Sequence, residues 1–217
     1  MIKKKVVILG ARENGHGKVV LETLKLMSQY KVVGFLDDTP GIQGCEVQGI
    51  RILGKTKELG KIKKKYGLYG AFPGVGDNQG RKLLAGLIKK NGLELINVIH
   101  PDTIVSPTVK LGRGIYLAPG VIINGDSTIK DCSLVNTGSI IDHDCVLEEG
   151  TFLGPGVRLA GRVKVGQQAD LFTGCCVIPD VKIGKNACIA AGAVVCRNIK
   201  ENERVAGVPA VPMKVKK

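Results

Sequence analysis

A hydrophobic residue recurs every six positions through the second half of the chain. Stepping by six from Ile99 to Val195 gives seventeen residues, and every one of them is Ile, Leu or Val. An α-helix repeats its apolar face about every 3.6 residues and a flat strand about every two, so neither accounts for this period. Small or β-branched residues, such as Ser127, Ser139 and Cys145, mostly stand four positions after an aliphatic one and can share the interior with it. The pattern predicts a solenoid of short strands.

Corners between these strands are marked by glycine, asparagine and aspartate. Such residues commonly stand next to an aliphatic position or two to three places after it, where a bend needs backbone conformations that they adopt easily. The 30 glycines in 217 residues show no collagen period, which fits repeated turns. Three strands and three corners make a triangular coil of eighteen residues, so residues eighteen apart should stack. We predict an all-β hexapeptide-repeat β-helix over residues 99–217, including a C-terminal tail.

The first 98 residues follow a different pattern, in which strands and helices alternate. The segments, in order, are residues 5–9, 18–29, 31–36, 69–75 and 81–90. The first strand runs into Gly10 and the second strand ends at Asp37 and Asp38. In such βαβ units a glycine loop at a helix N-terminus can receive phosphate, and an acid after the second strand can bind a ribose or base edge. Residues 10–17 do not form GxGxxG, so NAD is poorly supported. We predict an α/β Rossmann-like nucleotide-sugar-binding domain over residues 1–98.

Composition and charge restrict the classes of partner. A net charge of +13 suits nucleic acid, anionic membranes or phosphorylated small molecules. No RNA-binding aromatic strand, zinc-finger spacing or basic heptad accompanies the charge, so we expect no nucleic-acid partner. The seven cysteines form no CxxC pair and are predicted to be reduced thiols of a cytoplasmic protein. The apolar runs are far shorter than the roughly 20 residues that cross a bilayer, so we expect no membrane insertion.

A β-helix can also serve only as a scaffold, or it can carry a metal site of the carbonic-anhydrase kind. The metal site requires several histidines on the helix, and His100 and His143 are the histidines in that region. We therefore expect no bound metal. The scaffold alternative remains open.

Seven short motifs occur in order along nearly the whole chain. They are Gly15-His16-Gly17, Gly34-Phe35-Leu36-Asp37-Asp38, Gly74-Val75-Gly76-Asp77-Asn78, Ile99-His100-Pro101, Asn136-Thr137, His143-Asp144-Cys145 and Gly207-Val208-Pro209-Ala210. This ordered set resembles the sialic acid O-acetyltransferase family, which also contains the UDP-amino-sugar N-acetyltransferases of bacillosamine-type and perosamine-type pathways. The resemblance implies a left-handed β-helix, acetyl-CoA as co-substrate, and a homotrimer with each active site between two subunits.

The resemblance also implies roles for individual residues. The catalytic base corresponds to His143, the acid that raises its basicity to Asp144, and a backbone N–H at the thioester carbonyl to Gly161. Gly161 follows His143 by eighteen residues, so it should stack on the base. The implied substrate-binding residues are Asn14, Gly15, His16, Asp37, Asp38, Gly76 and Asn136, and the implied acetyl-CoA-binding residues are Phe152, Gly161, Thr173 and Ala191. Phe152 stands where relatives often have a histidine that contacts the cofactor, and the glycine loop is longer than the common form.

The predicted function is transfer of acetyl from acetyl-CoA to the amino group of a nucleotide-linked amino sugar. An acetyl thioester is already activated, so such an enzyme mainly positions the acceptor, accepts its proton and stabilises an oxyanion. An imidazole with a reference pKa of about 6.5 suits the proton transfer. O-acetylation of a sialic acid or another sugar would use the same site. A non-catalytic scaffold or nucleotide-sensing module is the alternative from another class.

Overall fold

The computed structural model describes residues 2–12 and 15–213 of the chain. Two compact units divide the chain, residues 1–101 and 102–217. The division falls three residues after the position predicted from the change of pattern at residue 98. Asn14, predicted to bind substrate, lies outside the described residues.

The first unit contains a six-stranded sheet in the order β3-β4-β2-β1-β5-β6. Its elements are β1 (Lys4–Leu9), α1 (Gly17–Leu26), β2 (Tyr30–Leu36), β3 (Glu46–Val47), β4 (Ile50–Gly54), a 3-10 turn (Thr56–Glu58), α2 (Leu59–Tyr66), β5 (Gly70–Pro73), α3 (Asn78–Lys90) and β6 (Glu94–Leu95). The pairs are parallel except for β3 with β4. No described helix is both long enough and apolar enough to span a bilayer.

The central strand β1 explains why the sheet forms where it does. Its residues from Val6 to Leu9 are fully buried, because a central parallel strand is covered on both sides and needs a continuous apolar run. Helix α3 begins earlier than the predicted residue 81, because the Asp77 side chain caps it by accepting a hydrogen bond from the Gly80 N–H at 2.5 Å. The sequence pattern did not predict α2 or the β3–β4 hairpin.

The repeat region forms the predicted parallel β-helix. Its strands, β7 to β25 in order, are Val98–Ile99, Ile104–Val105, Lys110–Leu111, Tyr116–Leu117, Ile122–Ile123, Thr128–Ile129, Leu134–Val135, Ile140–Ile141, Val146–Leu147, Phe152–Leu153, Arg158–Leu159, Lys164–Val165, Asp170–Leu171, Cys176–Val177, Lys182–Ile183, Cys188–Ile189, Val194–Val195, Arg204–Ala206 and Val211–Pro212. Each residue of the period from Ile99 to Val195 is the second residue of its strand. From Leu117 onward these residues expose 3% of their surface or less. They form the interior of the coil.

Three flat faces surround that interior. Face 1 consists of β10, β13, β16, β19, β22 and β24, with β25 antiparallel at its end; face 2 of β8, β11, β14, β17, β20 and β23; and face 3 of β9, β12, β15, β18 and β21. The chain passes from face 1 to face 2 to face 3 in each coil. Residues eighteen apart are paired, as Ile122 with Ile140 on face 2, so the predicted stacking register is observed.

Most corners contain a residue with a left-handed backbone, three places after the aliphatic position. Many of these residues are glycines, but Asp126, Asp144, Arg162 and Asp180 also adopt this conformation, with φ between 59° and 66°. Aspartate tolerates the left-handed region better than most side chains, whereas arginine is not among the residues enriched there. Arg162 is therefore held in this conformation by its position in the coil.

Candidate active site

The turn after β14 carries the predicted base and lies at the corner between faces 2 and 3. Its backbone is fixed by Asp142, which accepts hydrogen bonds at 2.8 Å from the His143 N–H and from the Asn124 side chain. These two hydrogen bonds, that of Asn124 first, lower the pKa of the Asp142 carboxyl. The buried Ser127 hydroxyl donates to the Asp142 carbonyl at 2.9 Å and accepts from the Cys145 N–H at 3.0 Å. Asn124 and Ser127 both belong to the preceding coil. The stacking of one coil on the next therefore fixes the conformation of this turn.

His143 and Asp144 form a contacting pair on this turn. Nδ1 of His143 lies 2.7 Å from Oδ2 of Asp144, and the two side chains are 48% and 53% exposed. A carboxylate oxygen only accepts hydrogen bonds, so the contact places the proton on Nδ1 and leaves the lone pair on Nε2. An imidazole in this state has the tautomer that a general base requires.

Gly161 lies against the other edge of the imidazole. A Cβ atom added to this glycine would stand 2.6 Å from Nε2 of His143, so any side chain there would displace the imidazole from its present position. The Gly161 backbone therefore contacts the basic edge of the ring. The structure brings His143, Asp144 and Gly161 together at one corner, as their spacing predicts.

Cys145 points to the interior and takes no part in this surface. Its Sγ lies 3.2 Å from the Ala160 carbonyl oxygen, and burial raises the pKa of the thiol to about 11. A buried neutral thiol is a poor nucleophile, because the thiolate is the reactive form. The geometry therefore favours direct transfer over an acetylated Cys145.

The remaining predicted residues of the β-helix lie elsewhere on it. Asn136, Thr173 and Ala191 follow strands β13, β19 and β22 and occupy the corner between faces 1 and 2. Thr173 and Ala191 are exposed and stand in adjacent coils. Within one chain, the whole of face 2 separates this corner from His143. The structure thus divides the predicted site residues into two groups at two corners.

Phe152 projects from face 1 and packs against a second aromatic residue. Its ring centroid lies 6.0 Å from that of Phe172 with the planes inclined by 56°, and Phe172 is 41% exposed. This tilted pair presents an apolar surface beside Thr173. A ligand at this surface would contact the apolar ring of Phe152. A histidine at that position would instead offer a hydrogen bond.

A cavity of about 970 Å³ opens within the first unit, where β1, β2 and β5 end. The carboxyl ends of parallel strands are the usual ligand-binding edge of such sheets, and this volume suits a nucleotide. The cavity lining includes Gly15, His16, Asp37, Asp38 and Gly76. It therefore brings together the described residues of the first unit that were predicted to bind substrate.

The two aspartates after β2 make different contacts. Asp37 is nearly buried and accepts hydrogen bonds from the Ala11 N–H at 2.6 Å and the Thr39 N–H at 2.8 Å. Burial alone would raise its pKa, but these hydrogen bonds outweigh burial and lower it. Asp38 is exposed and accepts from the Thr56 N–H at 2.9 Å and the Thr56 hydroxyl at 2.5 Å. Asp37 thus ties β2 to the glycine loop, whereas Asp38 lies on the open side.

His16 contributes no positive charge to this cavity near neutral pH. Burial first, and then the charge of Arg81, lowers the pKa of His16 to about 4. Arg81 is 1% exposed and donates at 2.6 Å to the Gly76 carbonyl and to Oδ1 of Asn78, which orders the turn after β5. Among the residues that the structure describes, the cation that lines the cavity is Arg12, whose Nε lies 3.3 Å from the Thr39 hydroxyl.

Arg12 and Arg81 were both missed as candidate residues. Arg12 stands inside the glycine loop, and its position in a predicted phosphate-binding loop could have identified it as a candidate from the sequence. Arg81 lies in an amphipathic helix, where the sequence pattern alone reads as a solvated charge. Only its burial shows that it supports the cavity wall.

Comparison with known proteins agrees with both halves of this arrangement. Residues 5–87 match the family described as the PglD N-terminal domain. The chain is 39% identical to PerB from Caulobacter crescentus, whose crystal structure contains CoA and GDP-perosamine; the TM-score is 0.90 and 97% of each chain is covered. This chain belongs to the bacillosamine- and perosamine-type sugar acetyltransferase family. The predicted family is thereby confirmed.

Other members of this family show the same likeness. The acetyltransferase domain of PglB from Neisseria gonorrhoeae FA1090, solved with acetyl coenzyme A, is 31% identical with a TM-score of 0.89, covering 98% of this chain and 100% of that one. GDP-perosamine N-acetyltransferase of Escherichia coli O157:H7 is 26% identical over 174 residues, which is 75% of each chain. These family structures also confirm the predicted fold class, an α/β domain followed by a left-handed β-helix.

Proposed function

We propose that this chain transfers acetyl from acetyl-CoA to the amino group of a nucleotide-linked amino sugar, with His143 as the general base. The observation that carries the proposal is the 2.7 Å contact between Nδ1 of His143 and Asp144, on a corner where Gly161 borders Nε2. A scaffold has no need of an exposed, oriented imidazole that packs against a residue without a side chain. Relatives that are GDP-perosamine N-acetyltransferases support an amine as acceptor.

The reaction requires one proton transfer in each direction. As the acceptor nitrogen bonds to the acetyl carbon, Nε2 of His143 takes up the proton that the amine loses, and the C–S bond breaks. The imidazolium then gives a proton to the departing thiolate. The Asp144 carboxylate accepts from Nδ1–H throughout and stabilises the imidazolium. The Gly161 backbone N–H is proposed to stabilise the negative charge that develops on the carbonyl oxygen.

The cavity of the first unit is proposed to bind the nucleotide part of the acceptor. Arg12 supplies positive charge for phosphate, the neutral His16 a hydrogen-bonding group, and the backbone at Gly15 and Gly76 a surface without side chains. The exposed Asp38 is proposed to contact a hydroxyl or a base edge. Asn136 is proposed to bind the acceptor sugar.

Acetyl-CoA is proposed to bind along the aromatic pair and the corner beside it. Phe152 offers apolar contact, and Thr173 and Ala191 form a small-residue surface that a long ligand can approach closely. Gly161 belongs to the same set through its contact with the reacting carbonyl. The apolar Phe152 predicts that this contact depends on shape and burial and involves no hydrogen bond from that position.

The direct test is a matched acceptor panel. We expect product with nucleotide-linked amino sugars, and none with the same sugars carrying a hydroxyl in place of the amine or with free sialic acid. Product should be measured by mass spectrometry, because the exposed thiols of Cys45 and Cys196 would react with thiol reagents. Acetylation of the hydroxyl sugars alone would establish the O-acetyltransferase alternative. Acetyl-CoA binding without turnover on any acceptor would favour the scaffold.

A homotrimer is proposed because, within one chain, face 2 separates His143 from the proposed acetyl-CoA residues Thr173 and Ala191. The acetyl-CoA group and His143 lie at the two corners that bound face 2, so packing face 2 of neighbouring subunits together can bring one group to the other. Successive side chains of a strand point to opposite sides, so on face 2 the first residue of each strand points away from the interior. These residues are Ile104, Ile122, Ile140, Arg158, Cys176 and Val194. Five of these six are apolar, and Ile104 is 65% exposed in the single chain. Burial against a second copy would remove that apolar surface from water.

Charge placed on face 2 should dissociate the trimer and abolish activity. Ile122→Lys puts an ammonium between Ile104 and Ile140, where burial of an unpaired charge is strongly unfavourable. Thr128→Lys is the matched control, because it places the same side chain in the next hexad on face 3. Light scattering should give a monomer for Ile122→Lys and a trimer for Thr128→Lys. An active monomer, or equal behaviour of the two variants, would contradict the shared site.

We also propose that the protein acts in the cytoplasm. All seven cysteines are unbridged thiols, including Cys45 and Cys196, which are exposed. Exposed thiols persist most readily in a reducing compartment. Fractionation of the source cell, with the activity followed, would test the location.

A further inference from the structure

Asp144, the partner of His143, belongs to a column of charged residues that stack in successive coils. Asp126, Asp144, Arg162 and Asp180 follow one another at eighteen-residue intervals and share the same left-handed backbone conformation. The Arg162 N–H donates to the His143 carbonyl at 2.9 Å, and the Asp180 N–H donates to the Gly161 carbonyl at 3.1 Å. Arg162 therefore lies one coil from Asp144 on one side and one coil from Asp180 on the other.

The guanidinium is bound to only one of these two neighbouring carboxylates. Its Nε lies 2.7 Å from Oδ1 of Asp180 and its Nη2 lies 2.8 Å from Oδ2, which is a bidentate pair. This hydrogen bonding, followed by the charge of Asp180, raises the pKa of Arg162, and the charges of Asp144 and Asp142 add to the effect. Asp144 is thus within electrostatic reach of a cation that it does not bind.

Arg162 would be a strong competitor for Asp144. A planar guanidinium fork matches both oxygens of a carboxylate, whereas the imidazole offers Asp144 a single N–H. Two further carboxylates at this corner are those of Asp126 and Asp142. Asp142 is already held by the His143 N–H and by Asn124. Asp180 is therefore the carboxylate that satisfies the fork.

We propose that Asp180 is a positioning residue: it holds the Arg162 guanidinium away from Asp144, so that the Asp144 carboxylate stays on Nδ1 of His143. The inference rests on the proposed roles of His143 and Asp144. After Asp180, Asp144 is the carboxylate whose charge acts most strongly on Arg162, so it is the partner that the guanidinium would take next. Drawing Asp144 to the guanidinium removes the group that orients the imidazole and supports the imidazolium.

The test compares one single variant with one double variant. Asp180→Asn keeps the shape and the tolerance for left-handed backbone but removes the charge. It should lower kcat about tenfold, a fraction of what a general base contributes, with KM for acetyl-CoA within about twofold. The acid limb of the pH–rate profile should move to lower pH, since a less supported imidazolium loses its proton more readily.

The double variant Arg162→Asn/Asp180→Asn removes the competitor as well. We expect its kcat to recover to within about threefold of the wild type and the acid limb to return, because Asp144 is again undisturbed. A merely structural role for the ion pair predicts the opposite order, with the double variant at least as impaired as the single one. That order, or a normal pH profile in Asp180→Asn, would overturn the proposal.

Two further variants separate this inference from the function on which it rests. If His143→Ala keeps its turnover, the proposed function itself is wrong. If His143→Ala and Asp144→Asn are both impaired while Asp180→Asn behaves as the wild type, only the role of Asp180 is wrong. Thermal melting and light scattering on each variant show that the comparison is made between folded proteins of the same oligomeric state.

Discussion

Replacing His143 by Ala should lower kcat by roughly 10²- to 10⁴-fold, the usual contribution of a general base. Acetyl-CoA affinity should change little, because the substitution leaves the proposed acetyl-CoA residues Phe152, Thr173 and Ala191 unchanged and keeps the backbone N–H of Gly161. Asp144→Asn should have a smaller effect, since it removes the charge that supports the imidazolium and leaves the imidazole in place. Steady-state kinetics with the preferred amino sugar and isothermal titration with CoA measure the two quantities separately.

The pH dependence provides a second check on the same residue. A base must be neutral to accept a proton, so wild-type turnover should fall as the pH is lowered and the base becomes protonated. This limb should vanish or flatten in His143→Ala. Cys145→Ser is the matched control in the same turn, because a hydroxyl can still donate to the Ala160 carbonyl and the thiol has no proposed chemical role. A folded, trimeric His143→Ala protein with near-normal turnover would refute the assignment.

Gly161→Ala should lower kcat by about 10- to 100-fold, because the added methyl group and the imidazole would occupy the same space. The new Cβ would lie 2.6 Å from Nε2 and 2.8 Å from Cε1 of His143. The ring must rotate away, which breaks its 2.7 Å contact with Asp144, or the coil must shift. In either case Nε2 of His143 and the Gly161 backbone no longer keep their present arrangement.

Gly125→Ala is the matched control for this clash. Gly125 stands in the same column, one coil before His143, and its added Cβ would lie 3.2 Å from the Thr108 hydroxyl oxygen, a contact that a shift of a few tenths of an ångström relieves. We expect Gly125→Ala to keep kcat within about threefold of the wild type, since the added Cβ faces Thr108 and Ser106, and the Gly125 carbonyl can still accept the Asp144 N–H that it binds at 3.0 Å. Equal losses in the two alanine variants would show that the column, and not contact with the base, controls activity.

Much of this architecture follows from one-dimensional patterns. The aliphatic period from Ile99 to Val195 specifies which residue of each hexad points inward, because only one position per hexad is invariably apolar. The same period gives the eighteen-residue register, and this is why the contact between His143 and Gly161 could be predicted from the sequence. The strand run from Val6 to Leu9 likewise specifies a buried central strand. These features are local or periodic, so residues close together in the sequence, or at a fixed spacing along it, determine them.

Contacts between residues far apart in the sequence determine which polar and charged side chains are paired. Asp37 and Asp38 are adjacent and identical in sequence, but the glycine loop engages the first and leaves the second exposed. His16 is neutral near pH 7 because it is packed beside the buried Arg81, and no spacing reveals that environment. Arg162 lies one coil from both Asp144 and Asp180. Its guanidinium binds Asp180, and the Asp144 carboxylate contacts Nδ1 of His143. The sequence by itself determined the coil, its interior and its register through a repeating apolar pattern; the tertiary structure decided which charges pair and which remain available, because pairing depends on three-dimensional distance and burial.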